Sequence, residues 1–442
     1  MKWIAFGAFI LVGVPCMTAL AGSSKRGRWL LMAALIASTV VKVSVNFASL
    51  EDYRGPDRGF EVSLADLIAL SLGLGLVIRC WRKVVWFPAN TLLYAAYLGI
   101  ATIAFTQAHD QQLAAFTLFK WMKTTLLYWV VFNTFWCEWP MSAAAAGIMG
   151  AGAIETFIGF KQKYLYGMYR INGTFDHSNT IPAYFVIIIP ILLCWLMAQP
   201  RARWVQLSAT GAVLGMGFVV AATMSRAGLV LLGATIVASL AYAMFMAPSR
   251  GKLGFAAFFA LLFLAGGVKA MDSFIDRFMN APESSEEARD EFNIAADLMA
   301  RDNPFGVGIN CFSRVLTEDA RYRDSIHVME NEEHAGVCHH IYKLTAAEMG
   351  YGGLIVFALM LAHFLFLAAR HAFTSAREES FILFGALVGF TALHLVGLLE
   401  WVFRVTPVWN LFWIVSALTA ATAWRMKRGI YTQVSEGIPA LA

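Results

Sequence analysis

Charge is scarce in this sequence. Only 14% of its 442 residues are Asp, Glu, Lys or Arg, against 59% hydrophobic residues. A soluble globular chain carries about a quarter charged and about half apolar residues. The shortage excludes a water-facing fold, because no soluble core could hold this much apolar side chain. Basic stripes interleaved with aromatics are missing as well, which removes nucleic acid as a partner. Cysteine is sparse, six scattered residues without a Cys-x-x-Cys pair, and this argues against a zinc site or a redox motif. Period-two alternation is also lacking. The apolar runs are continuous, so strands and a membrane barrel are not expected.

What the chain has in plenty is apolar runs of bilayer length, about 20 residues each. They fall near 3–22, 29–48, 63–78, 84–107, 113–136, 141–160, 180–198, 204–224, 227–247, 253–268, 352–369, 381–399 and 405–424. Mean hydropathy is +0.62. The expected fold is an all-α polytopic membrane protein with twelve or thirteen transmembrane helices.

Lys and Arg in alternate loops set the orientation. Lys25, Arg26 and Arg28, then Arg79, Arg82 and Lys83, Arg201 and Arg203, Arg250 and Lys252, Arg370 and Arg377, and Arg425, Lys427 and Arg428 mark one face as cytoplasmic, together with the C-terminus. The opposite face then holds the loops 49–62 and 161–178, the Ser225-Arg226 turn and the long segment 269–351. The N-terminus admits three readings: a full span, a signal peptide ending at Ala19-Leu20-Ala21, or a hairpin broken at Gly13 and Pro15. The later charge bias favours an uncleaved chain.

This divides the chain into an N-terminal transmembrane bundle (1–268), an outer helical loop (269–351), and C-terminal transmembrane helices with a cytoplasmic tail (352–442). The loop is expected to cap the bundle mouth. Ser284-x-x-Glu287 is a capping-box pattern, and Phe292, Ala295, Ala296 and Met299 then share one helical face. Asn303-Pro304 ends that helix. A second helix runs from about His339 and stops at Gly350. Cys311 and Cys338 lie in this loop and could pair in an oxidising compartment, or remain free thiols.

Few polar residues could carry chemistry. Arg226 stands in a tight turn on the cation-poor face, where a half-buried charge needs a partner or ligand. Arg289 lies among Glu286, Glu287, Asp290 and Glu291, which also fits a surface salt bridge. Arg170 lies in the other outer loop. His339 and His340 open a helix, where a neutral imidazole could serve as a general base or merely cap the helix. His327, His334, His339 and His340 match no strong metal motif. Lys120, Lys123 and Glu155 occupy neighbouring spans and could form the polar centre of a transporter, or a plain buried pair; Lys42 and Asp66 have the same bland alternatives.

Together these stretches resemble the O-antigen ligase and polymerase superfamily of bacterial envelope enzymes. Thr223-Met224-Ser225-Arg226-Ala227-Gly228 is similar to its Ser-Arg turn. Arg289 with Asn303-Pro304-Phe305-Gly306-Val307-Gly308-Ile309-Asn310-Cys311-Phe312 resembles its Arg…Pro-x-Gly-x-Gly block. His339-His340-Ile341-Tyr342-Lys343-Leu344 through Glu348-Met349-Gly350 resembles its His-Asn-x-Tyr-Leu…Glu-x-Gly block, with His340 in the usual Asn place. Arg170-Ile171-Asn172-Gly173-Thr174-Phe175 fits an upstream element. The resemblance covers about residues 160–370.

The resemblance implies an integral-membrane (GT-C-like) inverting glycosyltransferase without cofactor or metal. The enzyme would sit in the bacterial inner membrane with its active site on the periplasmic face. The implied donor is a glycan on undecaprenyl pyrophosphate, and the implied acceptor is lipid A-core in lipopolysaccharide assembly. His339, Arg226 and Arg289 would be catalytic, and Arg170 and His340 would bind substrate. Polymerases of lipid-linked glycans and protein-glycosylating ligases are the alternatives within the class, and a lipid-linked glycan transporter the alternative outside it.

Overall fold

The computed structural model describes residues 2–261, 283–324 and 336–431. Among these, eight helices are long and apolar enough to cross a membrane: Phe6–Ser23, Leu64–Lys83, Met141–Leu165, Thr180–Ala198, Arg203–Ala222, Arg226–Met246, Ile341–Ala372 and Glu378–Gly397. Five of the thirteen expected runs are not among these eight, and the one at 405–424 forms the buried helix Thr406–Lys427. The run at 29–48 becomes a helix only over Lys25–Ser38; the β-branched stretch Thr39, Val40, Val41, Val43 and Val45 then favours extended backbone. Pro88 delays the next helix to Thr91–Thr106, since a residue preceding proline is kept out of the helical region. The helix Gln111–Glu138 mixes apolar residues with Gln111, Gln112, Lys120, Lys123 and Asn133. The run at 253–268 is described only to residue 261.

Two expectations are corrected. Residues 2–23 form a continuous helical rod, Lys2–Ala8, Phe9–Gly13 and Val14–Ser23, with right-handed backbone at Ala8, Gly13 and Val14. Gly13 and Pro15 therefore break nothing, and the hairpin reading fails. A short antiparallel ribbon is also present, Ser44–Phe47 against Phe60–Ser63, with Val45 opposite Val62. It closes the ends of the 48–59 loop.

The core centres on Thr180–Ala198, buried along nearly its whole length. Its closest neighbour is Glu378–Gly397. Lipid tails provide no hydrophobic drive between helices, so close packing must supply it. Gly385 and Gly389 serve that end: a β-carbon at either would lie 2.7 Å from the Ile191 Cα or 2.6 Å from the Ile187 carbonyl oxygen.

The loops gather into two sets at opposite ends of the bundle. At one end Arg28 meets Glu138 (Nε–Oε1 2.8 Å), Arg201 meets Glu378, and Arg425 donates to the Trp136 carbonyl at 3.1 Å. At the other end, the loop 48–59, the 161–178 loop, the Ser225-Arg226 turn, the segment 303–311 and the loop 398–405 come together. The cap helix Glu283–Asp302 packs there against the start of Ile341–Ala372. Phe292, Ala295, Ala296 and Met299 are buried on its inner face. The Ser284–Glu287 capping box falls on side chains outside the described residues.

The Pro-x-Gly-x-Gly and Glu-x-Gly stretches are two halves of one joint. Val307 N–H donates to the Ala347 carbonyl at 2.9 Å and Gly308 N–H to that of Glu348 at 3.2 Å. Gly350 breaks its helix with φ 70° and ψ 176°. A β-carbon there would lie 2.0 Å from the Pro304 oxygen, and one at Gly306 (φ +82°) 2.2 Å from the Glu348 carbonyl carbon. Only glycine tolerates both the left-handed backbone and this approach. The Glu348 carboxylate turns inward to Arg404 at 2.6 Å, both side chains buried.

Candidate active site

The site is built around Glu400, a residue the sequence reading did not single out. It sits just past the end of Glu378–Gly397, and its carboxylate collects three donors. His339 Nδ1 lies 3.0 Å from Oε2. Arg289 Nη2 and Asn179 Nδ2 both donate to Oε1, at 2.9 and 2.7 Å. Burial alone would raise the Glu400 carboxyl. The His339 hydrogen bond, the Arg289 charge and the Asn179 amide oppose burial and hold it below the usual carboxylate range.

An ionised carboxylate can only accept. The Glu400 contact therefore puts the His339 proton on Nδ1 and leaves the Nε2 lone pair to act as a base. Arg289 uses one N–H on Glu400, and among the described residues no other partner for its guanidinium is seen. The remaining N–H groups form a fork suited to phosphate oxygens.

The network continues through Asn179. Its Oδ1 accepts from Arg170 Nη2 at 3.0 Å, while Arg170 Nε donates to the Thr223 carbonyl at 3.0 Å. Thr223 opens the turn into Arg226–Met246. Met224 takes φ 55° there, and Ser225 caps the helix by accepting from Gly228 N–H at 3.4 Å. Arg226 is half-buried at the first helical position. A continuous run of hydrogen bonds thus joins the Ser-Arg turn, Arg170, Asn179, Glu400, Arg289 and His339.

His340 behaves differently from its neighbour. It is the N-cap of Ile341–Ala372, its Nδ1 accepting from Lys343 N–H at 3.4 Å. Burial, then the Lys343 charge, push its imidazole below the ordinary histidine range.

Glu155, Lys120 and Lys123 do not form a shared polar centre. Glu155 accepts from the Thr174 hydroxyl and, at 3.2 Å, from the Thr174 N–H, which fastens the loop carrying Arg170. Lys120 pairs with Asp57 at 2.6 Å and Lys123 with Asp66 at 2.6 Å. Lys42 pairs with Asp176 at 2.5 Å. Cys311 and Cys338 are both free and buried, so the disulfide is not formed. Cys311 Sγ faces the Asp110 carbonyl at 3.3 Å and Cys338 Sγ the Asn293 Oδ1 at 3.1 Å. Among the described residues no group of three or more His, Cys, Asp or Glu could hold a metal ion; His327 and His334 lie outside them.

His339, Glu400 and Asn179 line a cavity of about 290 Å³, together with Arg54, Arg58 and Trp401. Its lining does not include Arg170, Arg226 or Arg289; the first and last reach it through their bonds to Asn179 and Glu400. Glu400 had a signal in the sequence: a lone acid at the outer end of an apolar span, where an ionisable side chain is costly without a purpose.

A comparison with curated proteins gives no match. Over residues 211–358, about a third of its length, the chain matches the family model described as O-Antigen ligase. Arg226, Arg289, His339 and His340 fall inside the matched stretch, and Arg170 and Glu400 fall on either side of it. This match supports the place of the chain in the O-antigen ligase superfamily.

Proposed function

We propose that this protein is an O-antigen ligase: a metal-independent, inverting glycosyltransferase that moves a glycan from undecaprenyl pyrophosphate to a sugar hydroxyl of lipid A-core. The family match supports activity of the ligase or polymerase type and a multi-pass membrane enzyme in general. The observation that carries the finer reading is the His339–Glu400 pair with Arg289 on the same carboxylate.

In this reading His339 Nε2 takes the proton from the acceptor hydroxyl as it attacks the anomeric carbon. Glu400 stabilises the imidazolium that forms, and the positioned base contributes about 10²–10⁴-fold. The lipid diphosphate departs with growing negative charge. In the same reading Arg289, Arg226 and Arg170 meet that charge through contacts that strengthen in the transition state. An isoprenoid donor enters sideways from the bilayer, so we assign this end of the bundle to the periplasmic face of the inner membrane. The joint between Pro304–Gly308 and Glu348–Gly350 supports the cap helix and His339 on rigid backbone.

The transporter alternative lacks its polar centre, since Lys120 and Glu155 take separate partners. Reconstitution decides among the enzyme readings. Purified protein is given an undecaprenyl-pyrophosphate glycan and lipid A-core without divalent cations. Transfer of one whole polymer to lipid A-core is the expected result. Stepwise growth on the lipid carrier would assign a polymerase instead, and a strict metal requirement would sink the mechanism.

A further inference from the structure

Arg54 and Arg58 have no part in the network around Glu400, yet both line the same cavity as His339. They come from the 48–59 loop, which is anchored at Tyr53 and Asp57. The Tyr53 hydroxyl donates to the Asn310 carbonyl. Asn310 Nδ2 donates to the Asp57 carbonyl at 2.8 Å, and Asp57 N–H donates back to Asn310 Oδ1 at 3.2 Å. The Asp57 carboxylate is held by Lys120 at 2.6 Å and by the Thr117 hydroxyl. The buried residues Tyr53, Gly55 and Asp57 alternate with the exposed Arg54 and Arg58.

Neither guanidinium has a hydrogen bond or ion pair to a carboxylate among the described residues, although Glu51, Asp52 and Asp57 are near in sequence. Two cations on a pinned loop, without a partner among the described residues and lining the cavity that holds His339, are a ready anion site. Arg289 and Arg170 are tied to Glu400, Asn179 and the Thr223 carbonyl, on different elements.

We propose that Arg54 and Arg58 form a subsite for an anionic substituent, phosphate or carboxylate, on the acceptor glycan, which registers the acceptor hydroxyl against His339. The inference rests on the glycosyl-transfer reading above. Interfacial arginines could instead bind an anionic lipid headgroup, and the test separates the two sources.

Full-length protein is placed in nanodiscs of zwitterionic lipid. The probes are lipid A-core and the same acceptor after removal of its phosphates. Binding is measured on the His339→Ala background and transfer on the wild-type background. Arg54→Gln/Arg58→Gln should lower the preference for the phosphorylated acceptor about 100-fold or more in both readouts, two charge-assisted contacts being lost. Arg54→Lys/Arg58→Lys should recover part of it, since lysine keeps the charge without the fork.

Equal losses for both acceptors, or a donor KM raised by the same factor, would overturn the subsite. So would an effect that appears only when anionic lipid is present. If wild-type protein transfers to no acceptor, the transfer reading has failed. The binding arm then still decides: a loss of phosphorylated-glycan binding confined to the arginine variants supports the subsite, and no binding by any protein rejects it.

Discussion

Glu400→Gln is the sharpest perturbation, because it keeps the shape of the side chain while removing its charge and one acceptor oxygen. Three donors converge on the carboxylate, Arg289 and Asn179 on one oxygen and His339 on the other. A glutamine offers a single acceptor oxygen. It can satisfy the Arg289–Asn179 pair or His339, and its amide N–H₂ must face whichever is left. At least one charge-assisted hydrogen bond is lost, worth about 1.5–3 kcal/mol. If the loss falls on the imidazolium, which exists only as the acceptor is deprotonated, kcat should drop about 10- to 100-fold while donor KM changes little. Steady-state transfer assays across pH, with donor and acceptor varied separately, read this out.

The same substitution has a signature in stability. The Glu400 carboxyl is depressed below its ordinary 4.5 in the folded protein. Its stabilising contribution is therefore complete above about pH 4.5 and is lost as pH falls through the depressed value. Thermal unfolding in detergent should show a smaller acid-side decline for Glu400→Gln than for wild type. Wild-type kcat in Glu400→Gln, or a loss confined to donor KM, would refute Glu400 as the residue that positions His339.

Other expectations follow from the same geometry. His339→Ala should abolish transfer while donor binding survives in a filter-binding assay. His340→Ala should retain turnover and cost at most about 1 kcal/mol in unfolding, as expected for removal of a helix cap. Gly350→Ala places a β-carbon 2.0 Å from the Pro304 oxygen at φ +70°, so folded yield and Tm should fall by the equivalent of more than about 2 kcal/mol. Burial pushes the thiols of Cys311 and Cys338 up to about 12; both should resist alkylation at pH 8 in folded protein, and reducing agent should leave Tm unchanged.

Composition and run length were enough to read a helical membrane protein, and the alternation of basic loops correctly grouped the loops that meet at each end. Helix lengths were harder. A hydropathy run does not reveal that Val40–Val45 prefers extended backbone or that Pro88 delays a helix start. Arg170, Arg289 and His339 could be picked out by motif order, and the fold joins them in one hydrogen-bond network. Glu400 was not, since a single acid beside Leu399 and Trp401 has no spacing partner in the sequence; its meaning comes only from side chains 61 and 111 positions earlier in the chain. The glycines of the Pro-x-Gly-x-Gly stretch looked like part of a chemical motif. In the fold they let two backbones touch.

The hydrogen-bonded run from Arg170 to Glu400 begins before the family stretch and ends after it. A transplant of residues 211–358 into a foreign scaffold would carry the imidazole and two guanidiniums but leave behind the acid that orients one and the loop that steadies another. Swaps between distant relatives should therefore work only when the 161–178 and 398–405 loops travel with the insert. Boundaries drawn from sequence likeness alone would cut through this network.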